Sequence, residues 1–340
     1  MSIRRAIFGL NLKKVTFAEL GFHSGCENTK KTLELVVETF ARSYNLALDS
    51  GDPEETATKI DAQVEPDLRG FAHEAAAMAF TVIDMSRFGR SRFLREYSEN
   101  VRPDYAYLEY VGAGVACGAL RRSCKRLRAR LDPFTSWLVL DGRGFYDAFF
   151  RTSRTIGKKH VPRDLDAQSL QQYDAGIGRG LWFIECGDPQ RLLETTSAFS
   201  NSRQPHVWAG LGLAVAYAGG VEGSVISELV SVSGQHREML AQGVAIAAHA
   251  RHRAGNNASH VDMASQVVWG CSSLELHQLA EKCIAQVHDV AFRRGETETE
   301  AVAEPLWFSF TNRLKQHFEE QHLDGLSRTE NSDTCVESIL

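Results

Sequence analysis

The sequence predicts an all-α protein: packed helical hairpins resembling a helix-turn-helix repeat array, with one short β-like or irregular insertion near residues 136–150. Three observations carry that expectation. Apolar residues recur at helical spacing through most of the chain, glycine-rich apolar stretches return at a near-constant interval, and helix-starting residues follow them. Gly176 and Gly178 are followed 34 residues later by Gly210 and Gly212, and Gly243 comes 31 after Gly212. Periods near 34 are the mark of helical-hairpin repeats.

Taken in order, residues 1–28 form an N-terminal arm, and a single helical domain spans 29–322. "TKKTLELVVETFARSYNLAL" (29–48) places apolar residues at 33, 36, 37, 40 and 44, which is a helical period. A polar connector at 47–66 follows, then small-residue helices over 69–85 and 106–131. "SWLVLDGRGFYDAFF" (136–150) is the β-like segment, because large apolar residues meet an Asp-Gly turn. A second connector (151–169) leads to the repeat-like part, about 173–290. There Asp188-Pro189 has the form of an N-cap followed by proline in the first turn, and Ser272 with Glu275 that of a capping box. An acidic link (295–305) precedes a final helix (306–322), and 323–340 lack apolar periodicity and are expected to be disordered.

The glycines have a packing use. Gly176 with Gly180, Gly210 with Ala214, and Gly243 with Ala247 lie four apart on one helix face, which lets a neighbour approach closely. They do not read as a nucleotide loop. Each G-x-G opening lacks the third glycine of a dinucleotide fingerprint, with Cys117, Leu181 or Val215 in its place.

Composition narrows the function class. With 340 residues, 43% hydrophobic, 24% charged and net charge −5, the chain has ordinary soluble-protein character. Its longest apolar stretch, Val207 to Val221, has 15 residues, short of the roughly 18 that a membrane span needs. The basic N-terminus lacks the apolar core of a secretory signal, so a cytoplasmic location is expected. Seven scattered cysteines without a C-x-x-C pair read as reduced thiols, and neither a metal nor a cofactor is expected. No G-x-S-x-G, H-E-x-x-H or phosphate-loop motif is present, and "DLDA" (164–167) lacks the last acid of the D-x-D-D motif of protonating terpene cyclases.

Candidate chemistry rests on polar residues set in apolar helices: His73 and Glu74, Asp174, Arg179 and Glu185 around Trp182, and Gln242 and His249. Buried polar groups are costly unless paired, so these are internal bridges or pocket groups. Asp141 enters a stretch whose aromatics at 145, 146, 149 and 150 can wall an apolar cavity, where desolvation would raise a carboxyl pKa toward general-acid use. The alternative is a plain Asp-Gly turn. The basic run at Arg121, Arg122, Lys125, Arg126, Arg128 and Arg130 is either a solvated face or a docking surface for an acidic partner; net charge −5 argues against nucleic acid.

Six blocks together carry a resemblance: "RGFAHEAAAMAF", "YLEYVGAGVA", "WLVLDGRGFYDAFF", "DAGIGRGLWFIECGD", "WAGLGLAVAYAGG" and "LAQGVAIAAHARHRAG". In that order, over roughly residues 20–270, the chain resembles the UnbL-type family, whose genes sit beside the iterative polyketide synthase in enediyne biosynthesis clusters. The resemblance implies a soluble accessory protein acting on or beside a linear polyene. Matching positions are Arg69, Gly70, Glu74, Asp141, Gly142, Gly144, Phe145, Gly176, Gly178, Trp182, Tyr217, Gly219, Gly220, Gln242 and Arg251. The family often carries glycine where Ala75 stands and glutamate where His249 stands, which puts an acid–base role at 249 in doubt.

Two expectations follow. In the first, Asp141, Glu74 and Arg179 act on a polyene or other apolar small molecule held by His73, Phe145, Trp182, Trp208, Tyr217, Gln242 and Arg251, promoting its folding, cyclisation or oxidation. In the second, the array is a non-catalytic scaffold whose Arg121, Arg122 and Arg126 dock a polyketide synthase or membrane partner. Convergence of Asp141, Glu74 and Gln242 on one closed apolar pocket would favour the first.

Overall fold

Side-chain caps open several of the chain's helices. In the computed structural model, which describes residues 2–86, 92–293 and 305–333, the longer helices are α1 (Glu27–Ser50), α2 (Pro53–Gln63), α3 (Arg69–Ser86), α4 (Ala106–Ala119), α5 (Leu138–Phe150), α6 (Ala167–Ile184), α7 (Pro189–Ser197), α8 (Gln204–Tyr217), α9 (Gly223–Ser233), α10 (Arg237–Arg253), α11 (Ser259–Trp269), α12 (Ser273–Arg293) and α13 (Leu306–Asp333). No strand occurs among the described residues. Asp188 caps α7 by accepting from the N–H groups of Gln190 and Arg191, with Pro189 in the first turn. Ser272 and Glu275 exchange hydrogen bonds ahead of α12, Ser272 N–H donating to Glu275 at 2.8 Å and Glu275 N–H to Ser272 Oγ at 3.3 Å.

One row of helices, α1, α3, α4, α5, α6, α8, α10 and α12, forms an inner layer in which each packs on the next. From α6 onward the shorter α7, α9 and α11 run outside it, so the 34-residue period corresponds to the hairpins α6–α7, α8–α9 and α10–α11. The row curls until α3 also meets later helices: Phe71 lies edge-to-face on Tyr217 at 5.3 Å, and Arg251 donates to the Asp67 carbonyl at 2.8 Å.

The repeated G-x-G has a specific use in this row. Residues two apart on a helix point about 200° apart, nearly opposite ways. Gly112, Gly142, Gly176 and Gly210 therefore face the preceding inner helix while Gly114, Gly144, Gly178 and Gly212 face the following one. At all eight a Cβ would come within 1.8–2.0 Å of a neighbouring backbone carbonyl oxygen. Each helix is thus pressed against its neighbours on both sides. The residues four apart also share a face as expected, with Gly176 and Gly180 both turned to α5.

Several expectations are corrected. Residues 136–150 are helical, a short turn at Thr135–Trp137 leading into α5, and Asp141-Gly142 is no hairpin turn: Gly142 and Gly144 sit mid-helix to admit α4 and α6. The helix expected over 106–131 stops at Ala119; Arg121 takes a positive φ of 52° and Arg122 N–H closes the end on the Cys117 carbonyl, so only Lys125–Arg128 of the basic run is helical. Part of the polar connector at 47–66 folds as α2. The final helix continues past 322 to Asp333. The acidic link, apart from Pro305, and residues 334–340 lie outside the described residues. The arm at 1–28 is tied down, Asn45 holding both the N–H and the carbonyl of Leu10 at 2.9 Å and Arg5 pairing with Asp49 at 2.6 Å. No helix among the described residues is long and apolar enough to cross a membrane.

Candidate functional site

Close packing of α5 on α6 brings Asp141 and Arg179 together in the interior, where Glu74 of α3 joins them. Arg179 of α6 donates from Nη1 to Asp141 Oδ1 of α5 at 2.5 Å, and its Nη2 lies 3.6 Å from Glu74 Oε1 of α3. All three are buried. One guanidinium faces two carboxyls, and the second oxygen of each, Glu74 Oε2 and Asp141 Oδ2, has no hydrogen-bond partner. Burial raises both carboxyl pKa values, against the pull of Arg179. The closer Asp141 keeps the ion pair. Glu74, buried, farther from the cation and repelled by Asp141, is pushed up to about 7.

Glu74 and Arg179 stand at one side of an apolar cavity of about 370 Å³. Its lining includes Phe145, Tyr146, Phe149 and Phe150 of α5, Phe40 and Tyr44 of α1, and Ile7, Phe8 and Leu10 of the N-terminal arm. The Arg179 guanidinium lies 5.2 Å from the Phe145 ring centroid. Among the lining side chains only Glu74 and Arg179 carry a formal charge at neutral pH. Ile7 and Phe150 are 67% and 42% exposed, so they mark the mouth.

The four aromatics expected to wall a cavity do so, but Asp141 does not face them. It lies behind Arg179 and lines a separate space of about 60 Å³ with Gln242 and Trp307. Gln242 donates to the Thr311 carbonyl at 2.8 Å. Glu74 and Asp141 therefore converge on Arg179, whereas Gln242 belongs to the other space.

Of the remaining residues expected to hold a ligand, only Phe145 reaches the large cavity. His73 faces the other side of α3, with Nδ1 at 2.6 Å from the Tyr97 hydroxyl and Nε2 at 3.3 Å from Asp61. Trp182 donates to the Gly219 carbonyl at 3.1 Å, and Trp208 is core. Arg251 binds the carbonyls of Asp67, Asn256 and Tyr217, pinning the α8 and α10 ends to the start of α3, and Tyr217 packs between it and Phe71. These residues lie outside the large cavity, and the buried Tyr217 hydroxyl and Arg251 Nε have no hydrogen-bond partner. Glu185 accepts from Arg191 and Thr195. Arg121, Arg122 and Arg126 are exposed, as a docking surface requires.

The sequence reading passed over two features. Arg203, buried, holds Asp174 bidentately at 2.8 and 2.5 Å, and the signal was a lone arginine before a helix-starting Pro205. The arm's part in the cavity lining had no signal beyond the apolar residues of "AIFGLNL".

A family model described as a protein of unknown function (DUF1702) matches residues 1–310. No curated protein and no solved structure matches the chain.

Proposed function

The chain belongs to the DUF1702 family, whose function is unknown, and from that premise we propose that it binds a linear polyene with a carbonyl or carboxyl end in the cavity that the N-terminal arm helps to line. The observation that carries this reading is the pairing of an apolar, aromatic-walled space with one buried carboxyl of raised pKa, Glu74, beside a fixed guanidinium. The aromatic walls suit conjugated hydrocarbon. Glu74 in its acid form donates a hydrogen bond to a carbonyl oxygen, and in its base form accepts the proton of an enol. A carboxyl of pKa near 7 is too weak to protonate an isolated alkene, so the chemistry this site favours is enolisation-assisted folding and cyclisation. Burial raises that proton affinity, with Arg179 lowering it and Asp141 adding to it. The resemblance to the UnbL-type family supports a cytoplasmic role in an enediyne-type or other polyene-derived polyketide pathway.

Fluorescence titration with a conjugated tetraene fatty acid tests the reading. Saturable emission enhancement is expected, lost when Ala119→Phe fills the cavity and weakened when Glu74→Gln removes the ionisable group. Equal emission from both variants and the unaltered protein would remove the proposal.

A second reading, docking of a synthase or membrane partner, is favoured by a specific surface: Arg121 borders a groove of about 620 Å³ that also contains Arg143, Arg151, Arg154 and Arg163 against Asp147 and Asp164. Reversing Arg121, Arg122 and Arg126 to glutamate abolishes capture of the synthase at physiological salt on this reading; unchanged capture counts against it.

A further inference from the structure

Far from the cavity, α10 and α12 bring two imidazoles and a carboxylate to one point. His249 Nδ1 lies 3.1 Å from His277 Nδ1 and 3.7 Å from Glu281 Oε1, and the three potential donor atoms all lie within 4.8 Å of one another. His277 and Glu281 are one helical turn apart on α12 and so share a face, opposite the buried His249 of α10.

We propose that His249, His277 and Glu281 bind a first-row divalent cation, zinc being the best fit. A tetrahedron with zinc–ligand bonds of about 2.0–2.1 Å has edges of about 3.4 Å. The distances of 3.1 and 3.7 Å straddle that value, so small rotamer adjustments close the set. Two neutral imidazoles and a carboxylate are a ligand set zinc accepts with its fourth position left to water.

The surroundings favour it on three counts. Without an ion the two Nδ1 atoms can share only a single proton. His252 stacks on His277 at 5.2 Å and is itself held by Ser273 Oγ at 2.9 Å, which fixes the orientation of the His277 ring. Glu281 also lines an open polar groove of about 670 Å³, so a cation would enter from solvent. Bound there it would pin the last inner helix of the row onto α10. The inference is independent of the polyene reading.

The test uses full-length protein free of any polyhistidine tag, stripped with a chelator and titrated with zinc against a chromophoric chelator, with cobalt as the spectroscopic stand-in. One equivalent is expected, with the visible absorption of tetrahedral cobalt and a raised Tm. His277→Gln and Glu281→Gln, at half-buried and exposed positions that tolerate substitution, should each weaken zinc at least about tenfold. Absence of one-equivalent binding by the unaltered protein, or undiminished binding by both variants, overturns the proposal.

Discussion

The α4 to α10 part of the row and its α1 end are built by opposite rules. Between α4 and α10, successive helices meet through glycine against carbonyl, and the space lined there by Asp141, Gly210 and Gln242 is only about 60 Å³. At the α1 end, α1 contains no glycine, and Phe40, Tyr44 and Met78 hold it away from α4, α5 and α6, so that the cavity opens there. Ion pairs divide the same way. Arg203 holds Asp174 with matched charge and saturated hydrogen bonds, whereas Arg179 faces two carboxyls and leaves oxygens unpaired. A small-residue seam gives rigidity and a bulky seam gives room; the under-neutralised cluster sits where the room is. Buried polar atoms left without partners outside structural pairs are where function concentrates.

The comparison can be broken by exchanging charges. Arg179→Met and Arg203→Met should each cost about 3–5 kcal/mol in urea unfolding at neutral pH, because each strands a buried carboxylate. Only Arg179→Met should also abolish polyene binding; equal loss in both would place the ligand elsewhere. Gly176→Leu tests the seam, since its Cβ would fall 1.9 Å from the Asp141 carbonyl oxygen. A loss of about 3 kcal/mol or more is expected, while Gly157→Ala, with nothing within 4 Å, should stay within about 0.5 kcal/mol.

Glu74 sharpens it through pH. Its pKa is raised from 4.5 to about 7 in the folded state, so the protonated carboxyl stabilises the fold fully below about pH 4.5 and that contribution is lost as pH rises through 7. Glu74→Gln removes the dependence: relative to the parent it should be unchanged at pH 4 and more stable at pH 8, by on the order of 3 kcal/mol, in paired urea titrations. A parallel pH profile in both proteins would show that burial does not raise the Glu74 pKa. Least affected is the surface. Reversal of Arg121, Arg122 and Arg126 should move stability by less than about 0.5 kcal/mol, so any effect on partner capture is a binding effect.

Much of the frame was legible because it is local. The 3.6-residue period, Asp188-Pro189, and Ser272 with Glu275 act within one turn of where they stand, and each helix starts there. The segment at 136–150 was misread for the same reason: Asp-Gly inside an apolar run favours a turn locally, and only α4 and α6 on either side make glycine the residue that fits a helix there. Trp182, Tyr217 and Arg251 were named as positions matching the family resemblance, a property shared by internal bridges and pocket walls.

By itself the sequence determined that this chain is helical, that its hairpins repeat every 34 residues or so, and that Glu74, Asp141 and Arg179 need partners, since period, capping and the cost of burying charge are properties of residues. Only the tertiary structure decided which partners they are. The curl of the row places Glu74 within 3.6 Å of a guanidinium 105 positions away and sets His249 against His277, distances that no spacing along the chain encodes.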